Sequence, residues 1–112
     1  MVRRGLFELW KAVVVVVTLG TTTEGDGAIT TYTPSGKELV ELGAAMEGGS
    51  VQVFNKTGEG IVQSRADEYG NGVVGAFNRE RIEVVSMSAN HKGDGMVTTK
   101  SSIGLPLVVI AV

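Results

Sequence analysis

The 112-residue sequence predicts an all-β fold, a repetitive antiparallel β-meander with two strands in each repeat of 22–23 residues. Three observations support this prediction: glycines recur at that step, aromatic residues recur at the same step, and the apolar runs between glycines are too short for helices. The 16 glycines show no Gly-X-Y period and 43% of the residues are hydrophobic, which excludes collagen and a disordered linker. We therefore expect one β-repeat domain over residues 1–112, in the form of a β-prism, a fibre or a filament-forming assembly.

The repeat divides the chain into units of similar length. A half repeat at 5–15 precedes four repeats at about 16–38, 39–60, 61–81 and 82–104, and a half repeat at 105–112 follows. Each repeat holds two runs of about six residues that are rich in β-branched side chains, which favour strands. The links are short, as antiparallel neighbours allow and parallel ones do not. The predicted strands span 5–11, 13–21, 27–33, 38–45, 50–55, 60–66, 72–78, 82–88, 95–100 and 105–112.

Glycines mark one connection in every repeat. Two parallel series place the turn glycines at Gly25 and Gly27, Gly48 and Gly49, Gly70 and Gly72, and Gly93 and Gly95. In three of these turns Asp26, Asn71 or Asp94 stands between the glycines, and such residues tolerate the positive φ of tight hairpins. The alternate connections, at 33–38 and 55–60, are interpreted as a second hairpin type.

Aromatic residues form a second periodic series. Trp10, Tyr32, Phe54 and Phe77 stand 22, 22 and 23 residues apart. If buried, such a row is a stripe of the core, which we prefer; if exposed, it can stack on sugars or nucleic-acid bases. With 10 basic against 12 acidic residues the net charge is -2, so we expect no nucleic-acid partner and retain carbohydrate binding as the alternative.

The N-terminal segment has two interpretations. Arg3-Arg4 followed by an apolar stretch over 12–19 is compatible with a secretory signal peptide. Glu8 and Lys11 interrupt the apolar character, and five successive valines favour a strand over a helix. We prefer the strand, because the segment also fits the repeat. No run approaches the roughly 20 apolar residues of a membrane-spanning helix, so no transmembrane span is expected.

The strands near both chain ends are apolar on both faces. The predicted assembly edges are Val13, Val15 and Val17 at one end and Leu107, Val109 and Ile110 at the other. Such edges pair readily with other chains, and Pro106 is the one residue that blunts them. We therefore expect a homo-oligomer, either a closed trimer or an open filament. Both faces of the sheet would be covered, by folding of the meander on itself or by other chains.

Few residues have catalytic or ligand-binding chemistry. The chain lacks cysteine, and His91, its one histidine, is interpreted as a solvated residue of a turn. Ser86 and Ser88 fall in a strand and not in the strand–turn–helix elbow of hydrolases. No GxGxxG or P-loop motif precedes a helix. We predict no catalytic residue, no cofactor and no enzyme.

Calcium is the one metal alternative. Asp26, Asn71 and Asp94 recur at matching turn positions, and stacked oxygen ligands bind calcium in some repeat proteins. Turn geometry explains these residues better, because no turn supplies several carboxylates together. We therefore predict no metal site.

The repeat pattern is similar to a known class of fibrous proteins. NKTGEGIVQSRADEYGNGVVGAFN, residues 55–78, resembles glycine-punctuated β-repeats of bacterial proteins. The wider pattern of GKELVELG, GDG and NKTGE, over about residues 16–100, resembles the repeats of trimeric phage tail-fibre and adhesin stalks. The resemblance departs at Arg79-Glu80-Arg81, where other connections carry a glycine, and this departure leaves the register of the fourth unit open. The resemblance implies an assembling fibrous protein without an active site. The sequence leaves the location of the protein unknown, with the outside of the cell or a virion or cell surface favoured.

The function predicted from these observations is structural. The chain is expected to be a self-assembling subunit of a fibre or filament, held by strand pairing and apolar faces. The alternative is a carbohydrate- or surface-binding β module of the adhesin or tail-fibre type.

Overall fold

The computed structural model describes residues 14–111, and this part of the chain is all-β with no helix. Nine strands form one antiparallel sheet in sequence order, so every strand pairs only with its neighbours along the chain. The strands are β1 (Val17–Thr21), β2 (Gly27–Tyr32), β3 (Glu38–Ala45), β4 (Gly48–Phe54), β5 (Gly60–Ala66), β6 (Gly72–Phe77), β7 (Glu83–Ala89), β8 (Gly95–Lys100) and β9 (Pro106–Ala111). The predicted fold class, an antiparallel meander with repeat-like strand pairs, is confirmed.

The predicted strands match the observed ones closely. Their bounds agree within two residues from β2 onwards, whereas β1 begins at Val17 and not at residue 13. The predicted strand at 5–11 lies outside the described residues, and so do Trp10 and Val13.

The expected second hairpin type is wrong, because seven of the eight connections are one five-residue turn. The N–H of the first residue donates to the carbonyl oxygen of the fifth at 2.7–2.9 Å, and the N–H of the fourth donates back to the carbonyl of the first at 2.9–3.1 Å. A side-chain oxygen of the first residue also accepts the N–H of the fifth, at 2.8–3.2 Å. The first residues are Thr22, Thr33, Asn55, Asp67, Asn78, Asn90 and Ser101.

The fourth residue of each turn has a positive φ, as a three-residue hairpin loop with a glycine bulge requires. Six of the seven turns place glycine there, at φ 82–92°. Asp26, Asn71 and Asp94, which we expected to adopt positive φ, are fifth residues and do not. In the remaining turn the fourth residue is Arg81, at φ 66°.

The departure at Arg79-Glu80-Arg81 leaves the register of the sheet intact. Arg81 takes the glycine conformation, and the turn keeps both of its backbone hydrogen bonds. Beyond it, Val85 lies opposite Ala76 as the repeat requires. The question of register that the sequence raised is thereby resolved.

A β-bulge recurs at one end of the sheet. The register shifts by one residue where β2, β4, β6 and β8 end, at Tyr32, Phe54, Phe77 and Lys100. The extra residues on the partner strands are Leu39, Ile61, Val84 and Leu107. The bulge therefore distinguishes this end of the sheet and adds one residue to every repeat. The step of 22 and not 23 residues, between Ile29 and Val51, spans the two-residue connection between β3 and β4, which is the eighth connection.

The sheet is a single layer without a core. No hydrophobic side chain among residues 14–111 is buried. The Cα radius of gyration is 18.1 Å, whereas a compact domain of this length has about 13 Å. Folding of the meander on itself, one of the two expected ways to cover the faces, does not occur in this part of the chain.

Candidate functional site

The strand register sorts the side chains onto two faces, because residues directly opposite each other point to the same side. One face, which we call the apolar face, carries an exposed aliphatic or methionine side chain on every strand. Its exposed members are Val17, Leu19, Ile29, Leu42, Val51, Val62, Val74, Val85, Met87, Val97, Val108 and Ile110. None of the paired positions on this face carries a charge.

The opposite face, which we call the polar face, carries threonine, serine, glutamine and charged side chains. Thr30 is only 7% exposed, and Gln52, Gln63 and Thr98 are half-buried. The members of the apolar face named above are 36–78% exposed. The polar face is therefore less exposed than the apolar face, the reverse of the usual arrangement. A sheet that curves toward its polar face has this distribution of exposure. We expected both faces of the sheet to require cover by other atoms. Over the central strands, it is the apolar face that is exposed and requires such cover.

The three periodic aromatics of the described residues do not form a stripe of a core. Tyr32, Phe54 and Phe77 lie on the polar face, each opposite a bulge, and all three are half-buried. The repeat therefore places aromatic rings where the sheet bends. Lys100 takes the equivalent place in the last repeat and forms an ion pair with Glu83 at 3.3 Å.

A cavity of about 250 Å³ opens on the polar face at its bulged end. It is lined by Gln52, Phe54, Gly60, Val62, Gln63, Phe77 and Arg81. The register explains its shape, since Gln52 lies opposite Gln63 and Phe54 lies opposite Gly60. A Cβ on Gly60 would stand 3.1 Å from the Gln52 Nε2, so this glycine leaves the space that the glutamine occupies.

Three polar side chains of the lining residues, those of Arg81, Gln52 and Gln63, form no ion pair or hydrogen bond within the described part of the chain. The ion pairs of residues 14–111 join Arg79 to Glu80 and Lys100 to Glu83, and neither includes Arg81. The side-chain hydrogen bonds there likewise leave out the amides of Gln52 and Gln63. An arginine and two glutamines without a side-chain partner thus line one cavity together with two phenylalanines.

Among the predicted assembly edges, Val17 lies in β1 and Leu107, Val109 and Ile110 lie in β9, whereas Val15 precedes β1. Val15, Val17, Leu107, Val109 and Ile110 are 54–66% exposed. Within residues 14–111, β1 pairs only with β2 and β9 only with β8. Leu107 is the extra residue of the last bulge, which no residue of β8 opposes.

The predicted turn glycines all lie at the end of the sheet that lacks bulges. Gly25, Gly70 and Gly93 are fourth residues of turns. The remaining five belong to strands: Gly27, Gly48, Gly72 and Gly95 begin β2, β4, β6 and β8, and Gly49 follows Gly48.

The alternative calcium site has no geometric support in residues 14–111. Asp26, Asn71 and Asp94 lie in three separate turns, where their N–H groups bond the first residue of the turn. No three histidine or carboxylate side chains of this region come together around a metal position. His91 is exposed in its turn.

One titratable group of the described region has a shifted pKa. A side-chain hydrogen bond to Glu68, together with the charge of that carboxylate, raises the pKa of Tyr69. Tyr69 is exposed in the β5–β6 turn and away from the cavity, so the shift belongs to a local contact on the surface.

No protein-family model matches the chain, and no curated protein is similar to it. Across residues 14–111, no helix has the length and apolar character to cross a membrane.

Proposed function

We propose that this protein is a structural subunit that assembles with copies of itself through its apolar face and its strand edges. One observation carries the proposal: the described chain buries no hydrophobic side chain, yet it presents an apolar surface across nine strands. Because burial of apolar surface is the main favourable term in folding, a single layer of this kind is incomplete alone.

The size of the apolar face supports this proposal. Nine strands spaced about 4.8 Å apart, with about six residues per strand, give the face an area of about 800 Å². The largest apolar patch on an ordinary monomer is about 300–600 Å². A standard stable interface buries about 800 Å² on each partner, so this face has the area that one such interface requires.

A second copy of the chain fits this face better than a foreign partner does. The face offers no charge with which a different partner would pair, and two apolar surfaces need no charge to be complementary. Its side chains recur with the repeat, since Ile29, Val51, Val74 and Val97 are equivalent. The apolar faces of two copies can therefore pack against each other with equivalent repeats in register. Their polar faces then point outward.

The strand edges support growth beyond a closed oligomer. β9 runs PLVVIA with every residue exposed, and it lacks the charges that protect edge strands. If β9 of one copy pairs with the opposite sheet edge of the next, the contact joins two different surfaces. Contacts of this kind propagate into fibres. The resemblance to tail-fibre and adhesin stalks favours the same arrangement, on a cell or virion surface.

The test of the apolar face uses two neighbouring residues of β8. Val97 lies on the apolar face and Thr98, a side chain of similar shape, lies on the polar face. We expect Val97→Lys to convert the oligomer to monomers in light scattering, because a buried ammonium costs several kcal/mol. Thr98→Lys should leave the oligomer intact. A wild-type chain that is folded and monomeric at all concentrations would overturn the proposal.

The test of the edges uses Val109, which lies in β9 on the polar face. We expect wild-type protein to form fibres or rods in negative-stain electron microscopy, and Val109→Lys to leave only short closed oligomers. The reason is that a lysine on an edge strand opposes pairing with a further strand. Fibres of unchanged length in Val109→Lys would show that growth does not proceed through this edge.

A further inference from the structure

Arg81 is the one non-glycine residue with a positive φ among residues 14–111. The left-handed region is unfavourable for an L-residue, and the other six turns of this type have glycine there. The sheet gains no ion pair from Arg81 in return. Strained residues concentrate at functional sites, so this outlier calls for a role outside the turn itself.

The position of Arg81 supplies a second, independent observation. Arg81 lines the polar-face cavity together with Phe54, Phe77, Gln52 and Gln63. We propose that this cavity binds one ring of an acidic saccharide, a hexuronate unit, whose carboxylate pairs with Arg81. The proposal goes beyond structural assembly, because it uses the face opposite the apolar one.

The lining of the cavity matches the chemistry of a sugar ring. The phenyl rings offer apolar surface to the C–H faces of a pyranose. A glutamine amide both donates and accepts hydrogen bonds, as each sugar hydroxyl does, and the two amides here have no partner within the described chain. Pockets for drug-sized ligands have about 300–1,000 Å³, so the volume of about 250 Å³ suits a single ring.

The charge of the lining selects an acidic sugar. Arg81 is the one charged residue among those that line the cavity. Its planar guanidinium presents two parallel N–H groups that match a carboxylate. A single cation does not suffice to follow a nucleic-acid backbone, and the protein as a whole has a net charge of -2. A carboxylate on a neutral ring is the ligand that one arginine, two amides and two phenyl rings can hold.

The experiment titrates the full-length protein with trigalacturonate and, separately, with neutral galactotriose, and it follows binding by calorimetry. We expect trigalacturonate to bind at millimolar concentration or below and galactotriose to bind more weakly. A hydrogen bond to a charged group contributes about 1.5–3 kcal/mol, so Arg81→Gly should weaken trigalacturonate binding about 10- to 100-fold. The fold should persist, because glycine is the residue that the sister turns carry.

Arg79→Gly is the matched control. It removes the same charge from the same turn, and both arginines are exposed, but Arg79 pairs with Glu80 and does not line the cavity. This variant should bind trigalacturonate as the wild type does. The proposal is wrong if the wild type binds neither sugar, if it binds both equally, or if Arg79→Gly and Arg81→Gly weaken binding to the same extent. Self-assembly through the apolar face can hold in each of these cases, because Val97→Lys tests it separately.

Discussion

Replacing Arg81 with glycine is expected to stabilise the protein. The side chain makes no ion pair, so the substitution mainly relieves the backbone at φ 66°. The strain of an L-residue there is about 1–2 kcal/mol. Glycine loses more conformational entropy on folding, which offsets about 0.5–1 kcal/mol. The net gain is about 0–1.5 kcal/mol, and its middle value of about 0.75 kcal/mol raises Tm by about 3–6 °C for a domain of this size.

The reverse substitution, Gly93→Arg, controls for the identity of the side chain. Gly93 holds the same place in a turn that also begins with asparagine, Asn90 in one case and Asn78 in the other. Its φ is 90°, and a Cβ there would meet nothing within 4 Å. Only the backbone should therefore resist arginine, and we expect a loss of about 1 kcal/mol. The two turns lie at opposite ends of the sheet, so the double variant should melt close to the wild type.

The assay is thermal unfolding followed by circular dichroism, with all variants at one protein concentration because assembly makes Tm depend on concentration. Arg81→Gly should have the highest Tm and Gly93→Arg the lowest, with the wild type and the double variant between them at similar values. If Arg81→Gly melts below the wild type, the guanidinium contributes to folding. The argument that its strain serves a ligand would then be refuted.

Two further predictions concern other positions of the sheet. Asn55→Ala should lower the free energy of unfolding by about 1–2 kcal/mol in urea, because the Asn55 Oδ1 accepts the N–H groups of Thr57 and Glu59 at 3.1 and 3.0 Å; Asn55→Asp, which copies Asp67, should be nearly neutral. Gly20→Ala should stabilise the protein by about 0.4–1 kcal/mol, because the added Cβ meets nothing within 4 Å. Gly75→Ala should stabilise it less or destabilise it, because the added Cβ would stand 2.6 Å from the Glu83 Oε2. Equal Tm values for the two alanine variants would contradict this second prediction.

The strands were predictable because their boundaries coincide with residues of special backbone chemistry. Glycine at the fourth turn position and a small polar residue at the first recur in six of the seven five-residue turns. The common turn was missed because the glycine-rich context of Gly25 and Gly93 looks unlike TPSGK and NKTGE. The shared signal is the first residue, whose side-chain oxygen bonds the fifth N–H in both contexts.

The bulges and the cavity were not predictable from periodicity. A bulge adds one residue to one strand of every repeat, so this residue is part of the 22–23-residue step and leaves no separate mark in the sequence. The cavity combines side chains from β4, β5, β6 and the following turn, so no short motif marks it. In the sequence, Arg81 looked like a break in the repeat, whereas in the fold it preserves the turn and redirects one side chain.

The nearest-neighbour connectivity of the sheet determines how the protein can change in length. Within residues 14–111 each strand pairs only with the strands beside it, and the backbone hydrogen bonds of each turn stay within that turn. Duplication or loss of one 22–23-residue unit therefore adds or removes two strands and leaves every other pairing unchanged. Each event alters the width of the sheet by about 9.6 Å, which is two strand spacings. Tandem duplication or deletion of repeats within the gene can thus change the width of the sheet in fixed steps.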